Sequence, residues 1–485
     1  MSEISSIASH GNSSTDVSQD IEFIKPRTKW DKDNLSTSDV LESYTEECTD
    51  DKLHISDAEL SNRDDDEFKD AYNEFTLPAN RIFNPHELTT QFIIQQFSSR
   101  TKPRDSLPVM KDQVGFSVWS FLKHCLGKDL TRVPMPITFN EPLSFTQRIC
   151  EDLDYVEQLN IAGRTQDTAE RLAYIAGFAA SCYVTTQNRY SKPFNPLLGE
   201  TFELISETMG VACLTEQTSH HPPMTAFHAE GVDWTLWGEV RLELKFRGQY
   251  CKVIPQGVLH LRTKMDGLHY SWSKPTLIIH NLILGNFWAD HDGTLEIRCH
   301  NTGELATVVF TPHSKVGSLY KEVHGEVKNA DGSVEYVING RWDQGMSYTK
   351  VNSKTDTGAG NESHKLWTAK PPILHAFNQY GFTQLSLSLN EIDPETYLCS
   401  TDSRLRPDQR LLEEGNVDEA SDTKYRLEEK QRRTRKIREI SKLDYRPRWF
   451  VPMYDPDTKS TTYCYNGDYW ICKLRQNFGK VPDIF

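Results

Sequence analysis

Residues 234–246 read WTLWGEVRLELKF. Trp234, Leu236, Val240, Leu242, Leu244 and Phe246 share one parity along this run, with Gly238 interrupting the row. Successive side chains of an extended chain point to opposite faces, so the alternation predicts a long β-strand with one apolar face. Further β-rich stretches lie at 258–261, 276–284 and 307–310. The pairs Asp266-Gly267, Asp292-Gly293, Asp331-Gly332 and Asn466-Gly467 recur around them, the dipeptides that tight hairpins favour. Most of residues 200–350 therefore reads as hairpin-linked antiparallel strands in a meander or barrel.

Outside the strands the period changes. Phe116, Trp119, Phe121, Leu122 and Leu126 suit a short amphipathic helix ending near Gly127, and Pro134 and Pro136 then force an extended passage. Residues 144–160 read as a helix with Phe145, Ile149, Leu153 and Val156 on one face. Residues 171–186 read as a second helix, whose Ala173, Ala176, Ala179 and Ala180 permit close packing. Residues 352–364 (NSKTDTGAGNESH) read as a surface loop insertion and 418–440 as a charged helix; 446–485 is aromatic and strand-like.

The chain has 485 residues and a formal net charge of -15. Residues 31–75 hold 16 acidic and 4 basic side chains, so the other 440 residues carry only -3. Residues 1–75 show no sustained period and are expected to form a disordered acidic tail. Pro78, Pro85, Pro103 and Pro108 mark 76–112 as a linker before a domain at 113–485. No stretch is apolar for the ~18 residues a membrane helix needs, and the first 20 residues are polar, which points away from an integral membrane or secreted protein. The acidic balance points away from nucleic acid. Ten scattered cysteines, none in CxxC or at zinc-finger spacing, fit a reducing compartment and suggest no metal site.

Three segments carry the chemistry. Residues 216–223 read EQTSHHPP, and Pro222 and Pro223 hold the chain rigid beside His220 and His221. Histidines fixed this way can ligate a metal, act as general acid or base, or donate to an anion; the structural alternative is one buried and one exposed ring beside a proline turn. No third ligand follows at a fitting spacing, and no GxSxG elbow supplies a nucleophile, so an anion site remains and an enzyme is not expected. Residues 191–200 read SKPFNPLLGE, a second proline-stiffened loop offering Lys192 and Asn195. Residues 424–435 read KYRLEEKQRRTR; at helical spacing Lys424, Glu428 and Arg432 stack on one face, either as solvated ion pairs or as a phosphate holder.

Together these segments resemble the signatures of the oxysterol-binding protein family, whose fingerprint is EQxSHHPP. Residues 137–145 (ITFNEPLSF), 281–293 (NLILGNFWADHDG) and 402–410 (DSRLRPDQR) also look similar to the family, and the resemblance covers about 115–485. With no pleckstrin-homology or ankyrin region read in it, the chain resembles the short members. The resemblance implies a mainly β fold with helical additions: a large antiparallel β-barrel enclosing a lipid tunnel, with an N-terminal lid, a helical layer and a C-terminal α/β subdomain. It implies a lipid-transfer protein without a cofactor, exchanging a sterol such as cholesterol for a phosphoinositide at membrane contact sites, or a sterol-sensing scaffold that signals lipid load. Lys192, Asn195, His220, His221, Lys424 and Arg432 are then expected to meet the headgroup, with Glu428 orienting the two cations. The same rim suits the 4-phosphate and the 4,5-bisphosphate. The lid falls at 114–131, with Phe116, Val118, Trp119 and Leu122 over the tunnel. In the tail, 67–73 (EFKDAYN) resembles the FFAT motif that binds VAMP-associated receptors of the endoplasmic reticulum, through Glu67, Phe68, Asp70 and Ala71; Lys69 and Asn73 depart from it and weaken the match. The expected location is cytosolic, peripheral to the endoplasmic reticulum and to a second membrane (plasma membrane, late endosome or lipid droplet).

Overall fold

A computed structural model describes residues 88–99, 101–111, 135–247, 249–281, 288–312, 321–351 and 362–485. The chain divides into two units, Met1–Lys52 and Leu53–Phe485, and every described residue belongs to the second. The acidic tail at 1–75, the FFAT-like Glu67, Phe68, Asp70 and Ala71, and the lid residues Phe116, Val118, Trp119 and Leu122 lie outside the described residues.

Within the expected linker a helix forms, α1 (Thr90–Phe97), capped by the Thr89 side chain accepting from the Phe92 N–H. Its Ile93 and Ile94 are buried, so this stretch packs onto the domain. Next, β1 (Asn140–Ser144) leads into α2 (Phe145–Cys150), a 3-10 turn (Glu151–Tyr155), α3 (Glu157–Ala162) and α4 (Thr168–Ser181). The single helix expected over 144–160 is thus broken. Ser144 and Gln147 close a capping box at its start. The 3-10 turn puts Glu151 against Arg189, whose guanidinium spans Glu141 at 2.7 Å and Glu151 at 2.6 Å. The short β2 (Lys192–Phe194) pairs parallel with β1.

A 14-stranded sheet follows. Its strands are β3 (Thr201–Ser206), β4 (Val211–His220), β5 (Pro223–Glu230), β6 (Trp234–Phe246), β7 (Tyr250–Gln256), β8 (Leu259–Thr263) and β9 (His269–Trp272). Then come β10 (Thr276–His280), β11 (Trp288–Cys299), β12 (Leu305–Phe310), β13 (Glu322–Lys328), β14 (Val334–Arg341), β15 (Gly345–Lys350) and β16 (Ser363–Thr368). Its named ladders are antiparallel, as the alternation in β6 predicts. The first half of β6 pairs with β8 and the second half with β7. Two routes, β7–β10 and β8–β9, then connect β6 with β11, so these six strands close a ring.

Glycine marks both changes of partner. A Cβ on Gly238 would lie 2.6 Å from the Val258 carbonyl, which explains the gap in the apolar row of β6. Gly293, at φ +133°, sits where β11 passes from β10 to β12. Asp292-Gly293 is therefore a kink inside a strand and not the hairpin turn its composition suggests. Asp266-Gly267 and Asp331-Gly332 do join consecutive strands, whereas Asn466-Gly467 joins a strand to a helix. Of the expected loop insertion, 352–361 lies outside the described residues and Ser363 and His364 already belong to β16.

The main core lies between α4 and β11–β16. Leu172, Ile175 and Phe178 are fully buried there, and each contributes about 1.5–3 kcal/mol relative to exposure. Gly177 brings α4 so close that a Cβ would lie 3.2 Å from that of Leu366, as the small-residue face of the helix leads one to expect. The C-terminal part mixes α5 (Gln384–Ser388), α6 (Pro407–Glu413) and the 25-residue α7 (Val417–Ser441) with the hairpin β17 (Phe450–Asp455) and β18 (Ser460–Tyr465), then α8 (Tyr469–Leu474). The strand-like reading of 446–485 missed α8, whose Tyr469, Trp470 and Cys472 join α1 and Leu214 in a second core. No described helix is long and apolar enough to cross a membrane.

Candidate functional site

A cavity of about 420 Å³ lies against β6, β7 and β10, within the range of pockets that take small-molecule ligands. Strand register builds its wall. Leu244 pairs with Val253, Val253 with Leu277, and Leu277 with His291, so one row of side chains crosses four strands. All four line the cavity, as do Leu242 and Val240, two and four residues back along β6. The even parity of 240–244 thus faces a void here, while Trp234 and Leu236 on the same row enter the main core. The polar end of the wall is satisfied in part, with His291 Nδ1 buried and unpaired. His291 Nε2 lies 3.0 Å from Thr186 Oγ1, burial pushes the imidazole down to about 3 and keeps it neutral, and Lys274 pairs with Asp152.

Two of the sequence signatures converge at the other end. Lys192, Asn195, His220 and His221 all line the cavity. The Lys192 ammonium donates to Asn195 Oδ1 at 2.5 Å. Burial, with Lys424 and Arg406 nearby, lowers Lys192 to about 8 against the pull of Glu428. His220 ends β4, and a turn through His221 and cis-Pro222 opens β5. The His220 and His221 rings meet edge to face at 4.8 Å, the first half-buried and the second exposed.

The rest of each motif is scaffolding. Glu216 is buried and accepts the N–H groups of Arg448 and Trp449 at 2.7 and 2.9 Å, tying the C-terminal segment to β4. Burial pushes its carboxyl up to about 7, against those donors. Gln217 accepts from Thr225 and donates to the Ser219 carbonyl, bracing the turn. Glu200 takes Arg406 at 2.9 Å, and Arg406 also holds Asp408 at 2.7 Å and the Asn195 carbonyl at 2.8 Å. The segment 402–410 therefore acts by fixing the loop that carries Lys192.

The third signature lies on α7. Glu428 sits between Lys424 at 2.7 Å and Arg432 at 3.5 Å, while Arg432 also pairs with Glu429. Lys424 donates to the carbonyl of Met135, a cavity residue, and both Lys424 and Glu428 act on Lys192. None of Lys424, Glu428 and Arg432 belongs to the cavity lining, and Arg432 faces its own helix partners. One residue bracing the site escaped the sequence reading. Gln431 accepts the Leu198 N–H through Oε1 at 2.8 Å, which turns its amide nitrogen toward His220 Nε2 at 2.7 Å. His220 Nε2 must then accept, so the ring is neutral; burial and the neighbouring His221 push it the same way, down to about 4. The signal was present in the i, i+7 spacing of Lys424 and Gln431 on one helix face.

The arrangement combines an apolar wall with a mouth of cationic and hydrogen-bonding groups, a geometry suited to an amphiphile with a polar end. The family model described as Oxysterol-binding protein matches residues 117–474. The chain is 39% identical over 411 residues to mouse Oxysterol-binding protein 2, covering 80% of this chain and 45% of that one. It is 36% identical over 428 residues to human Oxysterol-binding protein-related protein 2, covering 79% of this chain and 88% of that one. It thus spans less than half of some relatives and most of another. Among solved structures, the Osh1 ORD domain in complex with cholesterol matches at TM-score 0.75 and 35% identity, covering 83% of this chain and all of that one. The Osh3 ORD in complex with PI(4)P from Saccharomyces cerevisiae matches at TM-score 0.68 and 30% identity, covering 79% and 99%. With four of its signature residues at the mouth of an apolar cavity and the family model matching 117–474, this chain belongs to the oxysterol-binding protein family.

Proposed function

We propose that the protein is a non-catalytic lipid-transfer protein that takes a sterol or a phosphoinositide into one cavity and exchanges the two between membranes at contact sites. The observation that carries this reading is the shared cavity: its β6–β7–β10 wall is apolar, while its mouth presents Lys192, Asn195, His220 and His221. A sterol needs the wall. Burying several hundred Å² of apolar surface at ~25 cal/mol per Å² makes unassisted release into water very unfavourable, which is the task of a carrier. A phosphoinositide also needs the mouth, where Lys192 and, beyond it, Lys424 and Arg432 supply charge and the histidines supply hydrogen bonds to a headgroup that stays partly hydrated. One void cannot hold both lipids, so each displaces the other. That related domains have been solved with cholesterol and with PI(4)P supports the pairing.

The finer expectations form part of the same proposal. The lid at 114–131 closes over bound lipid, and Phe68 with its acidic flank docks the chain on VAMP-associated receptors. The protein works from the cytosol at the endoplasmic reticulum and a second membrane. The experiment is liposome extraction offering cholesterol, the 4-phosphate and the 4,5-bisphosphate to the purified chain. Uptake of sterol and one phosphoinositide in mutual competition supports the exchanger and names the counter-lipid. Uptake without transfer between liposomes supports the lipid-sensing scaffold instead, and no uptake of any lipid rejects both.

A further inference from the structure

On the opposite side of β8 and β9 from the main core lies a cluster that lipid binding does not use. His260 follows Leu259 on β8, and His269 precedes Tyr270 on β9. Leu259 and Tyr270 point into the main core, so the pleat sends both histidines the other way, where both are buried. Asp455, the last residue of β17, reaches them from the C-terminal hairpin. His260 Nδ1 lies 3.1 Å from His269 Nε2 and 3.3 Å from Asp455 Oδ2. The three atoms all fall within 4.8 Å of one another.

Two of the three separations fit a metal, and the third, His269 Nε2 to Asp455, lies within 4.8 Å and requires the carboxylate to move inward on binding. Ligand atoms about 2.0–2.1 Å from a tetrahedral zinc ion stand about 3.3–3.4 Å apart, close to the two distances observed. The surroundings are oriented in the same sense. His269 turns its other nitrogen, Nδ1, onto Asp457 Oδ2 at 2.7 Å, the carboxylate–histidine pairing that fixes a ligating tautomer. With Nδ1 protonated toward Asp457, the Nε2 lone pair faces His260 and Asp455. The Asp455 carboxylate is itself braced by Thr458 Oγ1 at 2.8 Å and by the Asp457 N–H at 3.2 Å. Trp237 stacks over both imidazoles, within 12° of parallel, and holds the rings in place.

We propose that His260, His269 and Asp455 form a site for a zinc-class divalent ion, with Asp457 as the positioning carboxylate and a fourth position left to water. Two imidazoles and one carboxylate are a borderline-soft donor set that suits zinc and disfavours magnesium and calcium, which take oxygen ligands. The ion ties β17 to β8 and β9. Since Glu216 of β4 grips Arg448 and Trp449 just before β17, the metal secures the same segment from its far side. The role is structural, at a site separate from the lipid cavity. Chain separation hid it from the sequence: His269 and Asp457 lie 188 residues apart.

The test uses the full chain stripped with chelator, dialysed against zinc and assayed by plasma mass spectrometry and thermal unfolding. The expected result is one zinc per chain and an unfolding midpoint raised by roughly 5 °C at a hundredfold excess over Kd, with no such rise from magnesium. His269→Ala and Asp455→Asn are expected to lose both the zinc and the rise. Asp457→Asn, altering a half-exposed side chain that touches the site only through His269, is expected to fold normally and bind zinc about 10–100-fold more weakly. Failure of the wild-type chain to retain zinc overturns the proposal. So do an equal shift with magnesium, full zinc retention by the folded Asp455→Asn chain, and an unchanged affinity in Asp457→Asn.

Discussion

The amide of Gln431 bridges two signature segments: its oxygen takes the Leu198 N–H at 2.8 Å, and its nitrogen donates to His220 Nε2 at 2.7 Å. One α7 side chain therefore sets both the position of the Lys192 loop and the tautomer of the histidine beside it. Replacing Gln431 with Glu keeps the oxygen for Leu198 but presents a carboxylate to His220. The expected outcome is a His220 titration moved upward from about 4 by more than one unit, read by NMR. Gln431→Ala, which removes both hydrogen bonds, is expected to weaken phosphoinositide extraction by about tenfold and leave sterol uptake unchanged.

Replacing His220 and His221 together by Ala separates mouth from wall. Phosphoinositide extraction is expected to fall by at least about tenfold, each lost bond to a charged group being worth about 1.5–3 kcal/mol. Sterol uptake is expected to persist, because the wall of Leu244, Val253 and Leu277 is untouched. Equal loss of both lipids in the liposome assay would show instead that the pair supports the fold.

The lowered ammonium of Lys192 gives a pH dependence with a definite sign. Its folded value of about 8 lies below the ordinary 10.5. Below pH 8 the group is charged in both folded and unfolded chains, and the cost of burying that charge is fully present. Between 8 and 10.5 the folded chain has released a proton that the unfolded chain keeps, so this residue's cost to stability is relieved as pH rises through the window. Headgroup capture moves the opposite way. Phosphoinositide extraction is expected to fall between pH 7 and 9, while Lys192→Arg, which stays charged, is expected to hold flat across that range.

Filling the cavity tests the wall. Leu244→Trp places a large ring in a void of about 420 Å³ and not in packed core, so its cost to folding is expected to stay below the ~1–3 kcal/mol of ordinary overpacking. Uptake of sterol and phosphoinositide should be lost together, with a thermal midpoint close to wild type. Retained uptake of either lipid would place that lipid elsewhere.

Local periodicity made much of the fold legible. The parity of 234–246 is the parity of β6, the alanine face of 171–186 is the packing face of α4, and the charged run at 418–440 is α7. Where local signals misled, a tertiary partner had overruled them. Asp292-Gly293 looks like a turn, yet β11 runs through it because β10 ends and β12 takes over at that point. The helix expected across 144–160 breaks where Glu151 turns to meet Arg189.

The site divides along the same line. The sequence by itself determined which short segments carry Lys192, Asn195, His220, His221, Lys424, Glu428 and Arg432, because their chemistry and spacing are local properties of the chain. Only the tertiary structure decided which of these share a cavity, that Arg432 faces its own helix, and that Gln431 sets the state of His220. It also decided that Val240, Leu242 and Leu244 of β6 line a void and that His260, His269 and Asp455 meet. Apart from the local ion pairs of Arg432, each of those facts depends on strand register or on contacts across hundreds of residues, and neither leaves a trace in local periodicity.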